Sequence, residues 1–135
     1  MTTSLAPEAL HPSLWRASEL ARATTRCVDT GHTSLAAQLP GGGWPVGTLI
    51  DLLVPQHCIG EMRLLGPALS SAASPGGALV EPPHPPQILA LAALRVPASQ
   101  ATWIRSGLTA DALWSTEQVL RSGTFGAVLF WQTHA

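Results

Sequence analysis

A histidine and a cysteine stand side by side at His57 and Cys58, and a second cysteine lies at Cys27. A thiolate next to an imidazole can be a nucleophile, but the base must reach the sulfur and a third group must orient the base. Adjacent side chains rarely face one another, and no orienting acid is evident, so the pair reads as part of a loop without chemistry. Two cysteines could form a disulfide or half a zinc site. No CxxC pair is present, and His32 and His84 are isolated loop histidines, so no ligand pattern supports a metal. The more telling feature is an absence. All seven basic residues are arginine (Arg16, Arg22, Arg26, Arg63, Arg95, Arg105 and Arg121), and the chain contains no lysine.

Composition narrows the classes further. A chain of 135 residues is long enough for one domain with a hydrophobic core and short for two. With 46% hydrophobic and 11% charged residues, general disorder is excluded. The formal net charge of −1 leaves no basic excess to neutralise phosphates, so DNA is expected only indirectly, through partners. No apolar run approaches the ~20 residues of a membrane span. The first residues have neither the cationic nor the apolar part of a secretion signal. A cytoplasmic protein with reduced thiols is the expectation.

Elements must hold whatever site exists, and twelve glycines and twelve prolines imply short elements with many connections. Residues 1–12 read as a flexible lead-in and residues 13–135 as a single domain. A helix is expected over 14–24, capped by Ser13 and anchored by Trp15. Residues 30–39 suggest a turn and a short helical segment. The run from Pro40 to Gly47, PGGGWPVG, reads as a turn that no regular element crosses. Residues 48–54, TLIDLLV, have the continuous apolar character of a strand buried on both faces of a parallel sheet. Helix is expected over 61–71, a weak strand over 78–80, a stiff proline loop over 82–86 and a short helix over 87–94. Then follow a strand over 101–105, a helix over 110–121 capped by Thr109 and stopped by Gly123, and a strand over 127–131. Strands alternating with helices predict an α/β fold with a parallel sheet and helices on both faces.

The stretch from Thr30-Gly31 through Leu35, then Gly41-Gly42-Gly43-Trp44-Pro45-Val46-Gly47 and the apolar run to Val54, resembles the approach to the phosphate loop of RecA-like proteins. The resemblance implies a P-loop NTPase-type sheet, and next a G-x-x-x-x-G-K-[ST] loop. There the backbone cradles phosphates, the lysine reaches the β and γ groups, and the hydroxyl holds Mg²⁺. Aligned on Gly60, this chain has Pro55 for the first glycine, Glu61 for the lysine and Met62 for the hydroxyl residue. Pro55 lacks an N–H, Glu61 is anionic, and Met62 cannot ligate a hard cation. The later acidic positions fare no better. Glu81 fits the first, but Pro83 falls where the catalytic glutamate belongs, and Trp131 falls where a magnesium aspartate belongs. The P-loop is thus degenerate. The expectation is no catalysis and no bound cofactor or metal.

A RecA-like chain with a decayed P-loop resembles the ImuA family, translesion-synthesis accessory proteins related to the division inhibitor SulA. The resemblance is carried by PGGGWPVG, by Ile59-Gly60-Glu61 with Arg63-Leu64-Leu65, by Pro82-Pro83-His84, and by ADALW from Ala110 and EQ from Glu117 to Gly123, with Gly126-Ala127-Val128-Leu129. It spans about residues 13–132. The family continues past this point, so the chain reads as truncated at its C-terminus. The resemblance implies a non-catalytic role in SOS-induced mutagenesis. The partners would be ImuB, an inactive relative of Y-family polymerases, an error-prone replicative-type polymerase, and RecA. Trp15, Trp44 and Trp131 are the candidate interface anchors, against the plainer reading that each packs on the body. The alternatives are a SulA-like inhibitor binding FtsZ and, from another class, a RecA-like ATP-binding protein.

Overall fold

A computed structural model describes residues 26–56, 60–72 and 76–132. The contacts divide the chain into two compact units, Met1–Leu49 and Ile50–Ala135. The expected lead-in, the helix over 14–24 and Trp15 lie outside the described residues.

In the first unit, strand β1 (Cys27–Asp29) pairs antiparallel with strand β2 (Gly43–Pro45), so that Val28 faces Trp44. Helix α1 (Thr33–Ala36) joins them, within the segment expected to be helical. The glycine-rich run is therefore not turn throughout, because its last part forms a strand. Gly43 makes this possible: a Cβ there would lie 2.4 Å from the carbonyl oxygen of Val28. Pro45 closes the strand, at an end where a missing N–H costs little.

The second unit holds helix α2 (Glu61–Ala72), strand β3 (Gly77–Val80), helix α3 (Ile88–Ala93), strand β4 (Ala101–Ile104), helix α4 (Thr109–Ser122) and strand β5 (Ala127–Phe130). The three strands form a parallel sheet in the order β4-β3-β5. Strand β3, weak by sequence, is the centre of the sheet and is buried along its whole length. Its short side chains, read from the sequence as weakness, suit a strand covered on both sides.

Alternation along β3 sends Leu79 to one face and Ala78 and Val80 to the other. Leu79 joins Leu69 of α2, Leu91 of α3 and Val96 in the core, with Leu129 packed against them. Helix α4 packs on β3 and β5 and buries Ala112 and Val119. Ala112 lines one cleft with Phe130, the register partner of Val80, which puts α4 on the face opposite α2 and α3. From β3 the chain crosses to β4 by way of α3, then back over β3 to β5 by way of α4. Reversing both the direction and the face keeps the two crossovers of one hand, the requirement of a doubly wound sheet. This much of the α/β expectation is present: a small parallel sheet with helices.

Two further expectations fail. Residues 48–54 are not a buried strand; Leu49 is 95% and Leu53 85% exposed. A run of β-prone residues becomes a strand only when a neighbour takes its backbone groups, and among the described residues none does. Nor is Thr109 the cap of α4. Leu108 holds that position without a side-chain hydrogen bond, and Thr109 is the first helical residue. The C-terminal end is as expected, with Arg121 in the last turn and Gly123 in the left-handed conformation (φ 64°). No helix among the described residues is long and apolar enough to cross a membrane.

Candidate functional site

Two places in the second unit bear on function, and both grow from element ends. The first is the start of α2, which the sequence resemblance alone aligns with a P-loop lysine and hydroxyl. Glu61 is the first residue of this helix and is buried, at 8% exposure. Its Oε2 accepts a hydrogen bond of 3.2 Å from the backbone N–H of Gly60. A helix N-terminus offers unpaired N–H groups and a partial positive charge, which is why phosphates settle there. Here the chain supplies its own anion. Met62 turns inward and packs against the hydrophobic core. Gly60 has a φ of 128°, a conformation that favours glycine. Pro55 is exposed on the loop before it. His57 and Cys58 lie outside the described residues.

The second place is a cleft of about 240 Å³ at the carboxyl ends of the parallel strands. It is lined by Glu81 and Pro82 after β3, Arg105 and Gly107 after β4, and Phe130 and Trp131 at the end of β5. In open α/β sheets this is where the chain reverses its winding and where ligand crevices form. A second pocket, within the core between Leu69, Leu79 and Leu91, has a volume of only about 10 Å³ and is apolar.

Glu81 organises the cleft. It has a positive φ of 51°, a costly backbone state for a side chain of this kind. Its backbone N–H bonds to the carbonyl of Ile104 at 2.9 Å. Its Oε1 accepts hydrogen bonds from the Ser106 hydroxyl at 2.7 Å, from the Gly107 N–H at 3.1 Å, and from the Ser106 N–H. The two Ser106 bonds hold the Glu81 carboxyl below its ordinary value of 4.5 against the opposing effect of burial, with lesser help from the Gly107 N–H and the Arg105 charge. Glu81 thus clasps the turn between β4 and α4. Sequence reading reached Glu81 only by aligning it with an acidic position of the RecA pattern. Its bonds to Ser106 and Gly107 span 25 and 26 residues, which no local pattern reveals.

The remaining sequence candidates fall in separate places. Trp131 is half-buried, packs against the core and lines the cleft, with its backbone N–H donating to the Val80 carbonyl at 3.1 Å. Trp44 is 9% exposed in β2, and its indole Nε1 is buried without a hydrogen-bond partner. In that position it presents little surface to a partner. His84 is exposed and His32 half-buried, in different units. Among the described residues, no group of three His, Cys, Asp or Glu side chains could hold a metal. Large exposed apolar side chains missed by the sequence reading lie on α4: Leu113, Trp114 and Leu120, at 55%, 63% and 64% exposure. Their signal was available, because at helical spacing they fall away from Ala112 and Val119. The chain matches no family model and no curated protein.

Proposed function

We propose that the protein is a non-catalytic, RecA-like accessory protein similar to the ImuA family, acting in the cytoplasm in SOS-induced translesion synthesis by binding other proteins. Its partners on this reading are an ImuB-like polymerase relative, an error-prone replicative-type polymerase and RecA, and DNA is reached through them. The observation that carries the reading is Glu61. Where a RecA-type ATPase places the phosphate-binding lysine, this chain has a buried carboxylate bonded to Gly60 at the helix N-terminus. A triphosphate there would meet like charge in a desolvated position, which is strongly unfavourable.

The binding role draws on α4. The block from Ala110 to Gly123 is the most distinctive part of the resemblance to ImuA, and it carries Leu113, Trp114 and Leu120 on the exposed side of the helix. Exposed tryptophan and leucine beside one another are typical anchors of a protein interface. The one ion pair of α4 among the described residues, Glu117 to Arg121 at 2.8 Å, lies on this exposed side and gives the face a polar component.

The test is retention of purified ImuB and of FtsZ on the immobilised full chain. Retention of ImuB is expected, weakened about tenfold or more by Trp114→Ala, which is the scale of an interface anchor. Retention of FtsZ without ImuB would replace this reading by the SulA-like one.

A further inference from the structure

Helix α4 carries the exposed face assigned to partner binding, yet little of the helix itself is anchored. Of its fourteen residues only Ala112 and Val119 are buried. An element with so few buried apolar contacts has a low local stability and opens before the rest of the fold. Its first turn also lacks a cap of its own, since Leu108 holds the N-cap position without a side-chain hydrogen bond. What fixes the start of α4 comes instead from the end of strand β3. We propose that Glu81 and Ser106 are positioning residues for the binding face of α4, so that a contact at the strand end sets how tightly a partner is held. The proposal rests on the reading that α4 binds the partner.

The contacts run in one continuous line. Glu81 Oε1 accepts from the Ser106 hydroxyl and from the N–H groups of Ser106 and Gly107. The Ser106 Oγ lies 3.1 Å from the Leu108 carbonyl oxygen. That carbonyl accepts the first bond of the helix, from the Ala112 N–H at 3.0 Å. The central strand, the turn and the helix start are thereby joined without any side chain of α4. Leu113 and Trp114 follow this held end by about one and a half turns, so a shift at the start moves both.

The backbone supports the same role. Glu81 has a φ of 51° and Gly107 a φ of 76°. Glycine adopts such a state freely, whereas a glutamate persists in it only where its surroundings enforce it. The surroundings here are the three donors on its carboxylate and the bond from its own N–H to the Ile104 carbonyl at 2.9 Å. Neither Glu81 nor Ser106 belongs to α4, so their effect on its exposed face passes through the helix.

The experiment uses the full chain and its Glu81→Ala and Glu81→Gln variants, at a temperature where their circular dichroism spectra agree. Hydrogen exchange is followed along α4, and the affinity for immobilised ImuB is measured in parallel. Glu81→Ala removes the acceptor; Glu81→Gln keeps an oxygen there without the charge. Exchange at residues 109–113 should be about tenfold faster in Glu81→Ala and less so in Glu81→Gln, with the last turn before Gly123 unchanged. The dissociation constant for ImuB should rise by about tenfold in Glu81→Ala and be partly restored in Glu81→Gln. A purely structural role would leave the affinity of the folded chain unmoved. Unchanged exchange at 109–113, or equal acceleration at both ends of α4, would overturn the proposal. So would a loosened helix start with undiminished affinity for ImuB. Failure of the parent chain to bind ImuB would overturn the reading beneath it, and exchange along α4 would still decide whether Glu81 holds the helix.

Discussion

Glu81 and Glu61 show how one residue type does opposite work at two element ends. Glu61 closes the N-terminus of its own helix, through Gly60. Glu81 reaches across the sheet to Ser106 and Gly107 and fixes the turn into α4. Both acts satisfy backbone N–H groups that would otherwise lack partners. Because the fold holds the Glu81 carboxyl below 4.5, the folded state favours its ionised form. Its stabilising contribution is therefore complete above that value and fades as the pH falls through the lower folded-state value. Glu81→Gln should lower the urea midpoint at neutral pH and flatten the acid limb of the stability profile. Urea titrations of both chains between neutral and acid pH check this; parallel profiles would show that the clasp contributes nothing. Sequence alone placed Glu61 at the start of its helix, because the helical pattern begins there. It could not give the role of Glu81, whose partners are distant in the chain.

At the scale of elements, local signals worked best where the cause is local. The end of α4 at Gly123 follows from left-handed geometry that glycine adopts freely. Gly123→Ala should cost about 1 kcal/mol, since φ is 64° there although the space for a Cβ is open. Arg95, just past the end of α3, has a φ of 58° and occupies the kind of position glycine prefers. Arg95→Gly should therefore stabilise by up to ~1 kcal/mol. Urea unfolding of the two variants should thus shift in opposite directions, and a loss of stability in Arg95→Gly would contradict the assigned backbone strain. Tertiary causes were less legible. The sequence of residues 48–54 looks more strand-like than that of β3, yet β3 is the buried centre and 48–54 is open. Propensity records what a residue can do in a sheet, whereas the pairing decides which segment does it. Gly43–Pro45 makes the same point from the other side, because a glycine turn became a strand when Val28 could approach its bare Cα.

For the whole molecule, charge and lysine content set the limits before any element is placed. A net charge of −1 and no lysine leave no lysine ammonium for a phosphate and no overall basic excess for nucleic acid. The alternating order of elements, read from sequence, is present as a three-stranded parallel sheet with helices. The crossing order was not legible, since no local feature says that β3 lies between β4 and β5. Its consequence is the cleft at the strand ends, where a RecA-type enzyme would do its chemistry and where this chain has Trp131 and a carboxylate already committed to its own turn. On the proposed reading, the position aligned with the phosphate loop is filled from within by Glu61 and the protein works by contact. Equilibrium titration of the full chain with a fluorescent ATP analogue and Mg²⁺ tests it most directly. The expected result is no saturable signal through the micromolar range, whereas saturable binding at micromolar affinity, displaced by unlabelled ATP, would contradict the claim.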